Sequence, residues 1–381
     1  MALNQDEKFI YMAIDLARRG WGRTWPNPMV GAVVVKDGYI LGQGWHRRWG
    51  GPHAEVYALR QAGRRAKDAT LYLNLEPCSH FGKTPPCALA VIQARIKRVV
   101  CSMQDPNPKV SGKGFRLLRQ AGIRVDVGLM KREAARLNEV FCKRITTGYP
   151  FVVNKAAISA DGKIACANGE SRWITGLTSR RYAHTLRALA DAIVVGMGTV
   201  WEDDPRLTRR LSPAIPGRKL MRIILAGRRP VPADAAVLKK KSSCRTVVIS
   251  AKRIHSDKLP KHVEVWHLPG RNGQADLKGM LRRLGEEGAS YVLVEGGAEV
   301  HAGFLGCQHP GDEVLSDQVQ FIYSPKIIGG RTSLGPVGGA GVENPAQAIA
   351  LEKGEWRPLG QDRLFLAYPR KRQAQKPGGG D

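Results

Sequence analysis

Three side chains suited to holding a borderline divalent cation stand in two short stretches: His53 in GPHAEVYAL, and Cys78 and Cys87 in EPCSHFGKTPPC. One neutral imidazole and two thiolates fit a tetrahedral zinc that keeps its fourth position open. Water in that position has its pKa lowered to about 7, which makes hydroxide available near neutral pH. Glu55 follows His53 by two residues and can reach that water without ligating the metal, as a proton shuttle. A closed structural site is the alternative, with His46 or His80 as fourth ligand. A disulfide is disfavoured: seven cysteines, at 78, 87, 101, 142, 166, 244 and 307, are an odd, scattered set without a secretory signal.

These residues need elements to place them. The N-terminal MALNQDEKFIYMAIDLARRG reads as an amphipathic helix over about 6–19, with Phe9, Ile10, Ala13, Ile14 and Ala17 on its apolar face, and not as a signal peptide. Strands GAVVVKDG and YILGQGWH follow, joined at Asp37-Gly38. PHAEVYALRQAG is helical and stops at Gly63. ATLYLNLEPC is a strand leading into the cysteine loop, and PPCALAVIQARI is a helix opened by prolines. The strand KRVVCSMQDP, the helix GKGFRLLRQAGI and the strand RVDVGL complete a βαβ alternation that predicts a largely parallel sheet. Near TTGYPFVV the pattern restarts as a second α/β domain, with FVVNKAAIS, DAIVVGMGTV, MRIILAG, RTVVIS, VEVWHL and YVLVEGG as strands and SRRYAHTLRALA and ADLKGMLRRLGEEG as helices. The expected organisation is a domain at 1–147, a domain at 148–369 and a disordered basic tail at 370–381.

Composition narrows the class. The chain has 381 residues, 43% hydrophobic and 24% charged, enough for two globular domains. No apolar run approaches the roughly 20 residues of a membrane span, so a soluble cytoplasmic protein is expected. The net charge is +27; residues 1–150 carry 25 Lys and Arg against 11 Asp and Glu, so about half of it lies there. A cationic surface attracts anions, whether nucleic acid, membrane surface or phosphorylated metabolites, and its even spread suits a generally basic surface better than a dedicated nucleic-acid stripe.

The His-x-Glu and Pro-Cys pattern is the signature of zinc deaminases, with eight residues between the cysteines in place of two. PNPMVGAVVV, GPHAEVYAL and EPCSHFGKTPPC together resemble the deaminase half of the bifunctional riboflavin-biosynthesis deaminase/reductases, a branch of the cytidine-deaminase-like fold. That resemblance implies one zinc per chain on His53, Cys78 and Cys87, Glu55 as catalytic acid/base, and Asn27, His46, His80 and Lys83 against the substrate's ring or phosphate.

Unaided, the second half says less. VLVEGGAEVHAG sets a Gly-Gly turn between a strand and a helix, where backbone N–H groups can meet a phosphate. Asp203-Asp204-Pro205 reads as a turn or helix cap, and no GxGxxG follows a strand. KAAISADGKIA, GESRWIT, VGMGTVWEDDPRLTRR and VEGGAEVHAG are similar to the reductase half of the same family. This implies a dihydrofolate-reductase-like domain using NADPH. Ala157, Trp173, Thr199, Asp203 and the run Gly297, Ala298, Glu299, Val300, His301, Ala302 and Gly303 would line the cofactor. Ser171, Arg187, Leu207, Arg210 and Glu295 would contact the substrate. One departure is that Ala226-Gly227 stands where the family usually has an Asp-Ser-like pair; Arg228, Arg229, Lys252 and Arg253 are candidates for the cofactor's 2′-phosphate.

The implied function is deamination of a phosphorylated ribosylaminopyrimidine followed by NADPH reduction of its ribosyl group, in a homo-oligomer with no nucleic-acid or membrane partner. Rivals stand beside it, among them a non-catalytic protein with zinc as a structural staple and the second half as a pyridine-nucleotide binding module; two more are enzymes. One is a deaminase with an impaired reductase. The other is a nucleic-acid base deaminase, for which Trp21, Trp25, Trp45 and Trp49 would supply stacking surfaces.

Overall fold

A computed structural model describes residues 3–80, 85–108, 110–209, 219–227, 230–232, 234–240, 244–254, 259–309 and 311–371. The chain divides into two compact units, Met1–Gly148 and Tyr149–Asp381. Among the described residues, no helix is long and apolar enough to cross a membrane.

The first unit runs α1 (Gln5–Arg18), β1 (Gly31–Lys36), β2 (Tyr39–Trp45), α2 (Ala54–Ala62), β3 (Thr70–Leu73), α3 (Cys87–Gln93), β4 (Arg98–Cys101), α4 (Lys113–Gln120), β5 (Arg124–Val127), α5 (Lys131–Leu137) and α6 (Glu139–Thr147). Its sheet has the order β2-β1-β3-β4-β5. Helix α1 starts on a reciprocal cap: the Glu7 N–H donates to the Asn4 side chain and the Asn4 N–H to the Glu7 carboxylate. Its apolar face packs with Val33, Val35 and Tyr72 on one side of the sheet. On the other side, Ala54, Ala58 and Ala88 of α2 and α3 pack on Val34, Leu71 and Leu73.

The expectation of a largely parallel sheet is corrected here. Strand β1 is antiparallel to both β2 and β3, and only the β3–β4 and β4–β5 pairs are parallel. The tight turn accounts for the β1–β2 pair: Asp37 (φ 51°) and Gly38 (φ 79°) are both left-handed, the geometry that folds two strands into a hairpin. Strand β2 then supports α2 at very close range. A Cβ on Gly42 would lie 2.1 Å from the Ala58 carbonyl oxygen, and one on Gly44 2.5 Å from Tyr57 Cβ. Bare backbone at these two positions lets α2 lie flat on the sheet.

The second unit runs β6 (Phe151–Ile158), α7 (Leu177–Leu189), β7 (Ala192–Gly196), α8 (Met197–Asp203), β8 (Leu220–Leu225), β9 (Cys244–Ser250), β10 (Val263–His267), α9 (Leu277–Glu286), β11 (Tyr291–Val294), α10 (Ala298–Leu305), β12 (Gln318–Tyr323), β13 (Leu351–Leu359) and β14 (Asp362–Pro369). Nine strands form one sheet in the order β10-β9-β8-β7-β11-β6-β12-β14-β13. All pairings from β10 to β12 are parallel, and the β13–β14 hairpin closes that edge antiparallel. The central strands β7 and β11 are continuous apolar runs buried on both faces, as crossover helices require. The strand expected over DAIVVGMGTV ends at Gly196, its last residues opening α8 instead, and Asp204 (φ 38°) caps that helix. The carboxyl ends of β6, β7, β8 and β11 therefore lie side by side, where open parallel sheets bind ligands.

Candidate functional sites

In the first unit, His53 is the residue that opens α2, with extended backbone, and Glu55 lies in the first helical turn. Cys87 opens α3 directly after Pro86, and its N–H donates to Cys78 Sγ at 3.3 Å. The His53 Nδ1 lies 3.2 Å from Cys87 Sγ and 3.5 Å from Cys78 Sγ. The donor atoms of His53, Cys78 and Cys87 all fall within 4.8 Å of one another. All seven cysteines are free thiols.

The protonation of this cluster is that of a site built for a cation. Hydrogen bonds from the Cys87 thiol and from His53 hold the Cys78 thiol far below its ordinary pKa. Donation to Cys78, together with burial, pushes Cys87 up. The hydrogen bond to Cys78 raises His53 against the opposing effect of burial. A divalent cation replaces the protons that these donors otherwise share. Two sulfurs and one imidazole nitrogen in this arrangement fit zinc. Among the described residues, neither His46 nor His80 joins the donor group, so the closed four-ligand alternative is not built.

Glu55 is 2% exposed, and its Oε2 has no hydrogen-bond partner among the described residues. Burial raises its carboxyl above the ordinary range. A carboxylate beside three metal donors that ligates nothing has the placement of an acid/base group.

Asn27, His46, His53, Glu55, Cys78 and His80 share a cavity of about 280 Å³ with Trp49, Glu76, Asp105 and Asn107. His46 is buried and serves Asn27. Its Nδ1 lies 3.0 Å from the Pro52 carbonyl, which can only accept, so Nδ1 carries the proton. Nε2 is then free to accept from the Asn27 amide at 3.3 Å. Burial lowers the His46 pKa and keeps this neutral tautomer. Lys83 lies outside the described residues.

In the second unit, Glu295 follows β11 and receives Arg187 Nε at 2.6 Å and Lys155 Nζ at 3.2 Å. Burial alone would raise Glu295; the two cations overcome it and bring its pKa down to about 2. Sequence reasoning missed Lys155, although it stands in the quoted run KAAISADGKIA as the one charge in an otherwise uncharged strand. The signal was a lone lysine on β6, whose neighbour in register, Asn154, pairs with Val294 just before Glu295.

Two residues on, Gly297 caps α10, with nothing within 4 Å of a Cβ built on it. By contrast, a Cβ on Gly196 or Gly296 would come within 2.6 Å of Val300. These close approaches draw α10 onto the ends of β7 and β11 while leaving space above Gly297. An open helix start at the carboxyl ends of β7 and β11 offers its first backbone N–H groups to an anion. Within the expected cofactor run, Gly297, Glu299, Val300 and Gly303 are at least partly exposed, whereas Ala298, His301 and Ala302 are buried. Burial, with Lys155 adding to it, lowers His301 to about 4.

A second group joins residues expected to serve substrate and cofactor separately. Ser171 Oγ donates to Asp203 at 3.0 Å, and the Arg172 guanidinium reaches the same carboxylate at 3.6 Å. Trp173 is 62% exposed, with the Arg180 guanidinium 4.3 Å from its ring centre. Leu207 is buried. Arg210, Arg228 and Arg229 lie outside the described residues.

Comparison with known proteins matches both halves. Residues 150–365 match the family model "RibD C-terminal domain", and residues 3–103 match "Cytidine and deoxycytidylate deaminase zinc-binding region". The riboflavin biosynthesis protein RibD of Aquifex aeolicus is 43% identical over 362 residues, covering 95% of this chain and 98% of the relative. That of Escherichia coli is 40% identical over 368 residues, covering 94% and 98%. The solved Acinetobacter baumannii RibD superposes with a TM-score of 0.81 at 36% identity, over 96% of this chain and 99% of that one. A diaminohydroxyphosphoribosylaminopyrimidine deaminase/5-amino-6-(5-phosphoribosylamino)uracil reductase from Thermotoga maritima gives 0.79 at 36%, with the same coverage. The two units thus have a cytidine-deaminase-like and a dihydrofolate-reductase-like fold, with zinc and NADPH as their cofactors. The chain belongs to the RibD family, bifunctional riboflavin-biosynthesis enzymes that join a zinc-type deaminase to a reductase.

Proposed function

We propose that the chain deaminates 2,5-diamino-6-ribosylamino-4(3H)-pyrimidinone 5′-phosphate and then reduces the ribosyl group of the product, giving 5-amino-6-ribitylaminouracil 5′-phosphate. The observation that carries this reading is the buried Glu55 carboxylate beside the His53–Cys78–Cys87 donor set, in a cavity lined by hydrogen-bonding groups.

His53, Cys78 and Cys87 would hold the zinc, which would supply Lewis acidity to a water facing the ring carbon that bears the exocyclic amine. Glu55 takes a proton from the attacking water, passes it to the adjacent ring nitrogen, and then protonates the departing ammonia. The new C–O bond replaces the C–N bond. Asn27, oriented by neutral His46, presents its amide to the ring edge. His80 and Lys83 are assigned to ring and phosphate.

In the second unit, NADPH would supply a hydride for C1′ of the ribose in its opened imine form. Arg187 and Arg210 hold the 5′-phosphate. The Arg187 Nε is committed to Glu295, which leaves the rest of its guanidinium for the phosphate. Glu295, kept ionised by two cations, and Ser171 and Leu207 shape the substrate side. Ala157, Trp173, Thr199, Asp203 and the exposed side of the run Gly297–Gly303 form the cofactor side. We assign the enzyme to the cytoplasm as a homo-oligomer without nucleic-acid or membrane partners, because substrate and product are small soluble phosphates.

The test measures zinc content of the purified protein, then ammonia release and NADPH oxidation on the diaminopyrimidine substrate. Equimolar zinc with both activities supports the reading. Ammonia without NADPH oxidation favours a deaminase with an impaired reductase. Bound zinc without ammonia contradicts the assigned substrate.

A further inference from the structure

The stretch EPCSHFGKTPPC begins with a residue that the chemistry above leaves unused. Glu76 is 4% exposed, two positions before Cys78, and no salt bridge reaches it among the described residues. Its carboxylate is nevertheless saturated. Oε2 accepts the backbone N–H of Asp105 at 3.1 Å and of Gly112 at 2.9 Å. Oε1 accepts those of Gly114 at 2.9 Å and Phe115 at 3.4 Å. The Glu76 N–H itself donates to the Met103 carbonyl at 3.0 Å.

One side chain thereby joins three pieces of backbone. The first leads from β3 to Cys78. The second is the start of α4, where Gly112 caps the helix with φ 79° and the next N–H groups have no partner within it. The third is the segment after β4, whose Asp105, Asn107 and Val110 line the deaminase cavity. The fit is tight: a Cβ on Gly114 would lie 2.1 Å from the Pro77 carbonyl oxygen and 3.1 Å from Glu76 Oε1. A buried carboxylate satisfied only by N–H groups is bonded by charge-assisted hydrogen bonds, the stronger kind. A neutral amide of the same size keeps one acceptor oxygen and turns an NH2 group toward N–H donors, which it cannot satisfy.

We propose that Glu76 is a positioning residue for the deaminase. It fixes the cavity wall formed by Asp105, Asn107 and Val110 at a set distance from Cys78, and so sets the width of the space the pyrimidine enters. This rests on the deaminase reading above. Only the first unit is involved, so reduction by the second unit serves as an internal control in the same molecule.

The experiment compares Glu76→Gln with the wild-type chain in zinc content, in kcat and KM for ammonia release, and in NADPH oxidation on the already deaminated substrate. The expected result is retained zinc, unchanged reduction, and a KM for deamination raised about 10-fold or more with a smaller fall in kcat. That split follows because a displaced wall weakens binding while Glu55 keeps its place, and one charge-assisted bond is worth about a tenfold change. Wild-type KM in the zinc-loaded variant overturns the proposal. Loss of zinc with reduction intact also overturns it, since Glu76 would then be supporting the metal ligand and not the wall. If the glutamine variant is recovered unfolded, Glu76→Asp is measured instead: it keeps the charge but is one methylene short, and an unchanged KM there is equally contrary. Failure of the wild-type chain itself to release ammonia would strike the functional reading and not this inference.

Discussion

The two sites solve the problem of holding charge away from water in different ways. In the first unit, two thiols and an imidazole share protons that a metal can displace, and one carboxylate, Glu55, stands beside them without a partner for one of its oxygens. In the second, the buried carboxylate Glu295 is already neutralised by Arg187 and Lys155. The metal-type site takes its residues from the ends of two helices and the strand before them. The ion-paired site takes them from β6, α7 and the end of β11. The first is therefore incomplete without a cation, whereas the second stands as a structure before any cofactor arrives. Sensitivity to metal removal should belong to the first half alone.

The largest effect follows from that asymmetry. Chelation of zinc, or Cys78→Ser, is expected to abolish ammonia release and leave NADPH oxidation on the deaminated substrate unchanged; parallel loss of both would break the comparison. Next comes Glu295→Ala, which strips a buried anion from two cations. Breaking a buried pair in this way costs about 3–5 kcal/mol, so thermal unfolding of the second unit should shift downward and reduction should fail while deamination persists. A smaller effect concerns acid. The folded pKa of Glu295, about 2, lies below its unpaired value of 4.5. The unfolded state therefore binds a proton first, and the stability from this pairing is complete above about pH 4.5 and lost as pH falls toward 2. Acid unfolding of Lys155→Met should be less steep over that window than the wild type, which a pH series of denaturation midpoints reads out. The smallest effect is expected at Gly227. Its backbone is not left-handed, and a Cβ there would meet only Met197 Cβ, at 3.8 Å. Gly227→Ser should be accommodated and lower the KM for NADPH by a few-fold, since one neutral hydrogen bond is worth roughly 0.5–1.5 kcal/mol. An unchanged KM would mean that a hydroxyl at this position does not reach the cofactor.

The same contrast explains what was legible in the sequence. His53, Glu55, Cys78 and Cys87 are rare residue types at short spacing on predictable strand ends and helix starts, and the fold brings together what the motif promised. The hairpin between β1 and β2 is visible in Asp37-Gly38, whereas the antiparallel pairing of β1 with β3 is not, because pairing order is a tertiary choice. Lys155 went unnoticed because an isolated lysine in an apolar strand looks like an edge residue until β11 is placed beside it. Helix α8 is hidden in VGMGTV because its glycines and β-branched residues carry no helical signal. Glu76 had no signal at all: its four partners are backbone groups 29 to 39 residues away, and backbone partners leave no mark in residue type.

On this reading one chain holds two chemically separate sites used in order. NADPH oxidation by Glu55→Gln tests it most directly, with the aminopyrimidine precursor and the deaminated intermediate supplied in turn. The account predicts wild-type oxidation with the deaminated intermediate, and with the precursor a rate reduced by about 10²–10⁴, the usual worth of a general acid/base. Equal oxidation with both compounds, or none with either, would contradict it.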